Sequence, residues 1–290
     1  MVTRIVPVAV IIPTYNRGTA TLTLLQKIQE CDPGPAAVFI HVDEGNGTLE
    51  DTLIRRFPGT RVLTSLVRLG PGGGRHRCLQ FCTSPYVVSF DDDSYPVDSD
   101  FFLQVERLFS EYPRAAIFGA TIWHRHELEK ERTDRAIRVP SFIGCGHAVR
   151  LIAYQGVRGY LLIPRAYGME ESDLSLQLFA AGWHLYEAGN LRVFHDTDLK
   201  HHQSPEITSG AIANTALYAF LHYPLIGWAR GLMQLANKVV DSIRRGRTHG
   251  ILRGILQIPS VCYQNRRYRK PVPWKTVKRF LRFRRTGIAQ

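Results

Sequence analysis

Three consecutive carboxylates, Asp91-Asp92-Asp93, follow directly on the apolar run Tyr86-Val87-Val88-Ser89-Phe90, whose composition is that of a buried strand. Three acidic groups at one strand end repel one another, and two arrangements relieve that. One is a solvated acidic turn ahead of a helix capped by Asp98 or Ser99. The other is a hard divalent cation, Mn2+ or Mg2+, which takes oxygen ligands and can hold a phosphate at the same time. A second acidic group, Glu170-Glu171-Ser172-Asp173, precedes a helical stretch over residues 174–181 that Gly182 closes. Carboxylates there complement the helix dipole, and one of them could also take a proton from an attacking hydroxyl. His195 ends a strand-like run over 191–194 and offers a nitrogen compatible with Mn2+, with His201 and His202 as an alternative pair.

The elements that must position these groups alternate. Residues 8–12 and 37–42 read as β-branched strands around a helix at 19–31, and 61–65 and 86–90 read as two more strands after helices at 49–57 and 74–82. Strand, helix, strand in repetition gives a mostly parallel sheet flanked by helices. Four strands then end in polar loops: Pro13-Thr14-Tyr15-Asn16-Arg17, Asp43-Glu44-Gly45-Asn46-Gly47, residues 68–75, and the acidic triplet. In open α/β sheets ligands bind beyond the carboxyl ends of the strands, so these loops should line one crevice. The cluster Gly70-Pro71-Gly72-Gly73-Gly74-Arg75 fits neither GxGxxG nor a P-loop, and reads as a loop that lets backbone approach a ligand closely.

In this order, PTYNR, VDEG, the glycine cluster with Arg75, FDDD and GMEESDLSLQLFAAGWHL, the chain resembles a family 2 glycosyltransferase of the GT-A fold over roughly residues 5–225. The resemblance implies an inverting transfer of a sugar from a nucleotide-diphosphate sugar to an acceptor hydroxyl, with Mn2+ or Mg2+. It implies donor contacts from Pro13, Tyr15, Asn16 and Arg17, and a hydrogen bond from a uracil or thymine N–H to Asp43. Arg75 would meet base or phosphate. Asp91 would hold the ribose or, through water, the metal; Asp92 would lie at the donor; Asp93 would ligate the metal. His195 would complete the metal shell or meet the diphosphate. Gly144 and Gly146 would form an acceptor loop, Glu170 and Asp173 would contact the acceptor, and Glu171 would be the catalytic base. The family usually has Glu-Asp where this chain has Glu170-Glu171, one methylene longer. Residues 203–210 read as a mobile loop that would order over the donor and exclude water.

Composition bounds the rest. At 290 residues, 44% hydrophobic and 21% charged, the chain can bury a full core. Five scattered cysteines without a CxxC pair point to a reduced, cytoplasmic setting. The N-terminus reads as a first strand and not a signal peptide, and no apolar run reaches the roughly 18 residues of a spanning helix. From residue 242 onward there are 14 Lys/Arg and no Asp/Glu; the net charge of +12 therefore leaves 12 − 14 = −2 for residues 1–241. The expected organisation is a GT-A domain over 1–225 and a basic helical extension over 226–290. In that extension Trp274, Val277, Phe280 and Leu281 stand at helical spacing among lysines and arginines, a pattern suited to an anionic membrane face, with Ile251, Leu252, Ile255, Leu256 and Ile258 adding a second apolar face. The expected partners are the donor, a glycan, lipid-linked or small-molecule acceptor, peripheral contact with the inner membrane face, and an oligomeric partner. Nucleic acid is not expected, because carboxylates gathered at strand ends repel phosphate unless metal is present. Two other readings stay open on residues alone: a sugar-nucleotide pyrophosphorylase, and a non-catalytic nucleic-acid binder that uses the basic tail.

Overall fold

Val8, Val10 and Ile12 project one way from a ten-residue strand and Ala9 and Ile11 the other, and all are fully buried, so this strand is covered on both faces. A computed structural model of the chain describes residues 4–163, 169–197 and 204–288. The elements are β1 (Ile5–Thr14), α1 (Gly18–Gln29), β2 (Gly34–Asp43), α2 (Thr48–Arg56), β3 (Thr60–Ser65), α3 (Gly70–Leu79), β4 (Tyr86–Ser89), β5 (Ser94–Pro96), α4 (Phe101–Glu111), β6 (Ala115–His124), β7 (Ala136–Arg138), β8 (His147–Arg150), α5 (Leu151–Gln155), α6 (Glu170–Ala180), β9 (His184–His195), α7 (Pro205–His222), α8 (Trp228–Arg244), α9 (Ile251–Gln264) and α10 (Trp274–Thr286).

The chain forms two compact units, residues 1–164 with 177–198, and residues 165–176 with 199–290. In the first unit the strands lie in the order β3-β2-β1-β4-β8-β6-β9-β5, with β7 beside β9. The expected parallel arrangement holds from β3 to β4; beyond it β8 runs antiparallel to both β4 and β6, so the sheet as a whole is mixed. Its core joins Leu24, Leu25 and Ile28 of α1 to Phe101, Phe102, Val105 and Phe109 of α4 across the sheet strands. Each such fully buried side chain contributes about 1.5–3 kcal/mol.

The glycine cluster is not a loop. Gly70 to Gly74 form the first turn and a half of α3, although glycine costs a helix roughly 1 kcal/mol per position. Packing explains the choice: a Cβ on Gly74 would lie 2.9 Å from Nδ1 of His41 and 3.0 Å from Cβ of Pro13, and one on Gly73 would lie 2.7 Å from Cβ of Leu69. Bare backbone lets α3 lie directly on β1 and β2, which fixes where Arg75 points.

In the second unit α7 begins at Pro205, capped by the Ser204 hydroxyl on the Ile207 amide at 3.2 Å. Residues 205–210 are therefore helix rather than the expected loop, since Ser-Pro supplies an N-cap and an N1 proline; Gln203 lies outside the described residues, as do His201 and His202. Placed by sequence in the first domain, α7 packs against α8 and α9. The expected outward face of α10 is corrected: Val277, Phe280 and Phe283 are buried, and the Trp274 ring packs edge-on against Tyr223. Exposed apolar side chains sit instead on α8 (Trp228, Leu232, Met233, Val240, Ile243) and α9 (Leu252, Ile255, Leu256). No helix among the described residues is long and apolar enough to cross a membrane.

Candidate functional site at the strand ends

Each strand end holds its charged groups by a different means. At the end of β2, Asp43 is buried and accepts from Ser65 Oγ at 2.9 Å, the Leu69 amide at 2.8 Å and the Gly70 amide at 2.9 Å. A carboxylate there satisfies orphan amides at the start of α3 and complements its dipole. Of the roughly four acceptor positions of a carboxylate, three are thus used within the chain. Asp43 also lines a cleft of about 380 Å³ together with Asn16, Glu44, Gly45 and Asn46. Asn16 and Glu44 hold positive φ, at 54° and 52°, a conformation unusual for side chains other than glycine and one that gathers at functional loops. Beside them the Arg68 guanidinium lies 4.3 Å from the centre of the Tyr15 ring.

At the end of β4 the carboxylates are held by cationic side chains. Arg75 is buried; its Nε donates to Ser89 Oγ at 3.0 Å, and its terminal nitrogen pairs with Asp91 and reaches the Gly144 carbonyl at 3.3 Å. The expected base or phosphate contact of Arg75 is thus directed inward, to Asp91 and to the loop before β8. Asp92 accepts from Thr14 Oγ1 at 2.9 Å and lies 3.5 Å from Arg17; burial, then the neighbouring Asp93, pushes its pKa up to about 7. Asp93 pairs with Arg17 and lies 3.1 Å from Nε2 of His195. Burial alone would raise the Asp93 pKa, but the His195 hydrogen bond and the charges of His195 and Arg17 outweigh it and hold it low. The same pair acts on His195, where burial is overcome by Asp93 and the pKa is raised.

Strand register brings these residues together over a wide sequence separation. β5 pairs antiparallel with β9 so that Ser94 faces His195, and the Asp196 amide donates to the Asp93 carbonyl at 2.8 Å. His195 therefore meets the acidic triplet, as its residue type and strand-end position suggest. Cys145 joins them unannounced: its Sγ lies 3.6 Å from Nδ1 of His195, and the ligand atoms of Asp91, Cys145 and His195 all lie within 4.8 Å of one another. An oxygen, a sulfur and a nitrogen at that spacing fit a divalent cation. Nothing in the sequence marks Cys145 beyond its glycine neighbours. Gly144 accepts from Arg75 and from His147 Nδ1 at 2.6 Å, and Gly146, at φ 69°, packs where a Cβ would lie 2.6 Å from Val193. His147 in turn receives the Tyr160 hydroxyl on Nε2 at 2.9 Å, and burial together with the Arg75 charge lowers its pKa to about 3.

The second unit carries the other acidic group. Glu170, Glu171 and Asp173 lie in the first turn of α6, which starts four residues before the expected 174. Glu170 and Asp173 are buried, and Asp173 lies 2.6 Å from Nε2 of His222. Glu171 alone of the three is partly exposed.

The chain belongs to glycosyl transferase family 2, whose model matches residues 9–162. No curated protein matches it significantly. Among solved structures it is similar to GalNAc-T7 with UDP, GalNAc and Mn2+ (TM-score 0.60, 14% identity, 75% of this chain and 48% of that chain). It is also similar to the mannosyltransferase PcManGT from Pyrobaculum calidifontis in complex with GDP-Man and Mn2+ (TM-score 0.57, 14% identity, 97% of this chain and 87% of that one). The chain spans about half the length of the GalNAc-T7 chain. The fold is thus GT-A, and the family to which the chain belongs is one of glycosyl transferases.

Proposed function

We propose that this protein is an inverting, divalent-metal-dependent transferase that moves a sugar from a UDP- or dTDP-sugar to an acceptor hydroxyl. The carrying observation is the acidic triplet beyond β4, whose charges are balanced by Arg17, Arg75 and His195 beside a cleft at the ends of β1 and β2. Asp91, Asp93 and His195 would hold the metal, and a cation bound there would supply positive charge to the leaving diphosphate. Arg17, half-exposed and paired only through side chains, can turn from Asp93 to a phosphate oxygen. Asn16 and the remaining acceptor capacity of Asp43 read the base, and Tyr15, stacked with Arg68, contacts the donor beside them.

Glu171 takes the proton from the acceptor hydroxyl as its oxygen attacks the anomeric carbon; the bond to the diphosphate breaks on the opposite face, and the nucleoside diphosphate leaves. Its partial exposure supports this choice over Glu170 and Asp173, the latter held by His222. Acceptor contacts are assigned to Glu170 and Asp173 in the second unit, and separately to the Gly144 and Gly146 loop in the first. The test is release of nucleoside diphosphate from UDP-, dTDP- and GDP-sugars with Mn2+ or Mg2+, with the product anomer read by NMR. Glu171→Gln abolishes transfer while leaving donor binding intact; transfer with retention, or full activity in that variant, overturns the reading.

The protein lies peripherally on an anionic membrane face, where a lipid-linked acceptor would be found. Support comes from α8 and α9, where exposed Leu232, Val240, Ile243, Leu252 and Leu256 stand among Arg230, Arg244, Arg245 and Arg253. Vesicle flotation with anionic lipid checks it: Leu232→Asp with Leu252→Asp releases the protein, and equal flotation on neutral vesicles counts against it.

A further inference from the structure

We propose that Cys145 is a metal ligand of this site: the cation is held by a carboxylate oxygen of Asp91, the thiolate of Cys145 and Nδ1 of His195, with Asp93 orienting the His195 ring. This rests on the reading that the site takes a divalent cation, and it adds a thiolate to the ligands that the family resemblance implies.

The two nitrogens of the His195 ring face different partners. Nε2 of His195 lies 3.1 Å from Asp93 Oδ1 and Nδ1 lies 3.6 Å from the Cys145 sulfur. A carboxylate accepts the proton of whichever nitrogen it faces, so Asp93 selects the tautomer with hydrogen on Nε2 and leaves the lone pair on Nδ1. That is the arrangement in which an outer carboxylate orients a metal-bound histidine. The other oxygen of Asp93 pairs with Arg17. The lone pair on Nδ1 points toward the sulfur, and Asp91 completes a group whose ligand atoms lie within 4.8 Å of one another.

The thiol is held in place by its loop. The Gly144 carbonyl is fixed by Arg75 and His147, and the Gly146 amide donates to the Ser89 carbonyl at 2.9 Å. Cys145 itself is 2% exposed. A thiol this deeply buried is shielded from solvent, and it ligates a cation as the thiolate once the cation displaces its proton. Binding is balanced as Cys145–SH plus M2+ giving Cys145–S⁻–M2+ and one proton released to solvent. One sulfur and one nitrogen among the ligands make the site softer than an all-oxygen one, so Co2+ and Zn2+ bind it more tightly than Mg2+.

Titration of the metal-stripped full chain with Co2+ under reducing, oxygen-free conditions tests this, because thiolate ligation gives a near-ultraviolet sulfur-to-cobalt charge-transfer band that oxygen and nitrogen ligands do not. The expected result is one such band with about one proton released per Co2+. Cys145→Ser loses the band and the proton release but keeps the visible cobalt transitions, and Cys262→Ser changes neither. Should Cys145→Ser fail to fold by circular dichroism, Cys145→Ala is read in its place. Asp93→Asn keeps the band and weakens Co2+ binding about 10–100-fold, as loss of an orienting partner does. A cobalt spectrum without the sulfur band, a band that persists without Cys145, or no Co2+ binding at all overturns the proposal. Mn2+-dependent donor turnover in a protein lacking the band refutes the thiolate ligand and leaves the transferase standing; the band without turnover of any donor does the reverse.

Discussion

The ends of β2 and β4 both present buried or half-buried carboxylates, yet they spend them differently. Asp43 is satisfied mainly by backbone amides at the start of α3, groups that have nowhere else to go. Asp91 and Asp93 are satisfied by Arg75, Arg17 and His195, side chains that can share or exchange partners. The contrast separates a carboxylate that builds the site from carboxylates that operate in it. The two are linked, since Asp43 anchors the helix that carries Arg75, and Arg75 sets Asp91.

If this division holds, Asp91→Asn lowers Mn2+-dependent donor turnover by about 10²–10³-fold, the scale seen when one group that stabilises developing charge is removed. Steady-state kinetics against a fixed donor measure it, and a change under tenfold would place Asp91 outside the operating set. The frame behind β4 is tested by pH. His147 has its folded pKa lowered to about 3 from 6.5, so the unfolded chain binds the proton first. Its contribution to stability is complete above pH 6.5 and is lost as pH falls toward about 3. Urea unfolding across that window should show a loss that His147→Gln reduces. Asp43→Asn is expected to cost about 1–3 kcal/mol of stability, because the new NH2 group faces an amide that needs an acceptor. Gly74→Ala should cost a similar or smaller amount, about 1–3 kcal/mol, by driving α3 off His41 and Pro13. Both are read as shifts of the denaturation midpoint. A loss of turnover in Asp43→Asn without loss of stability would move Asp43 to the operating side.

The parallel half of the sheet was legible because β1, β2, β3 and β4 are short β-branched runs between amphipathic helices, and their ends followed from that pattern. The meeting of His195 with Asp93 was legible in outline from residue type and strand-end position. Three features were not. The glycine cluster looked like a loop because glycine disfavours helices, while its purpose is close packing on His41 and Pro13, a long-range contact. The apolar face of α10 looked outward because periodicity reports amphipathicity and not which surface covers it; Val277 and Phe280 are buried. Cys145 reaches His195 across 50 residues through the pairing of β8 with β6 and β6 with β9, which no local spacing encodes.

The charged groups beyond β4 are read as exchanging internal partners for a cation and a donor diphosphate, and thermal denaturation with UDP-, dTDP- and GDP-sugars in the presence and absence of Mn2+ measures that exchange. A UDP- or dTDP-sugar at about 100 times its dissociation constant should add about 2.7 kcal/mol, several degrees in midpoint, only when Mn2+ is present, and not in Asp91→Asn. Equal stabilisation without metal, or in Asp91→Asn, would contradict it.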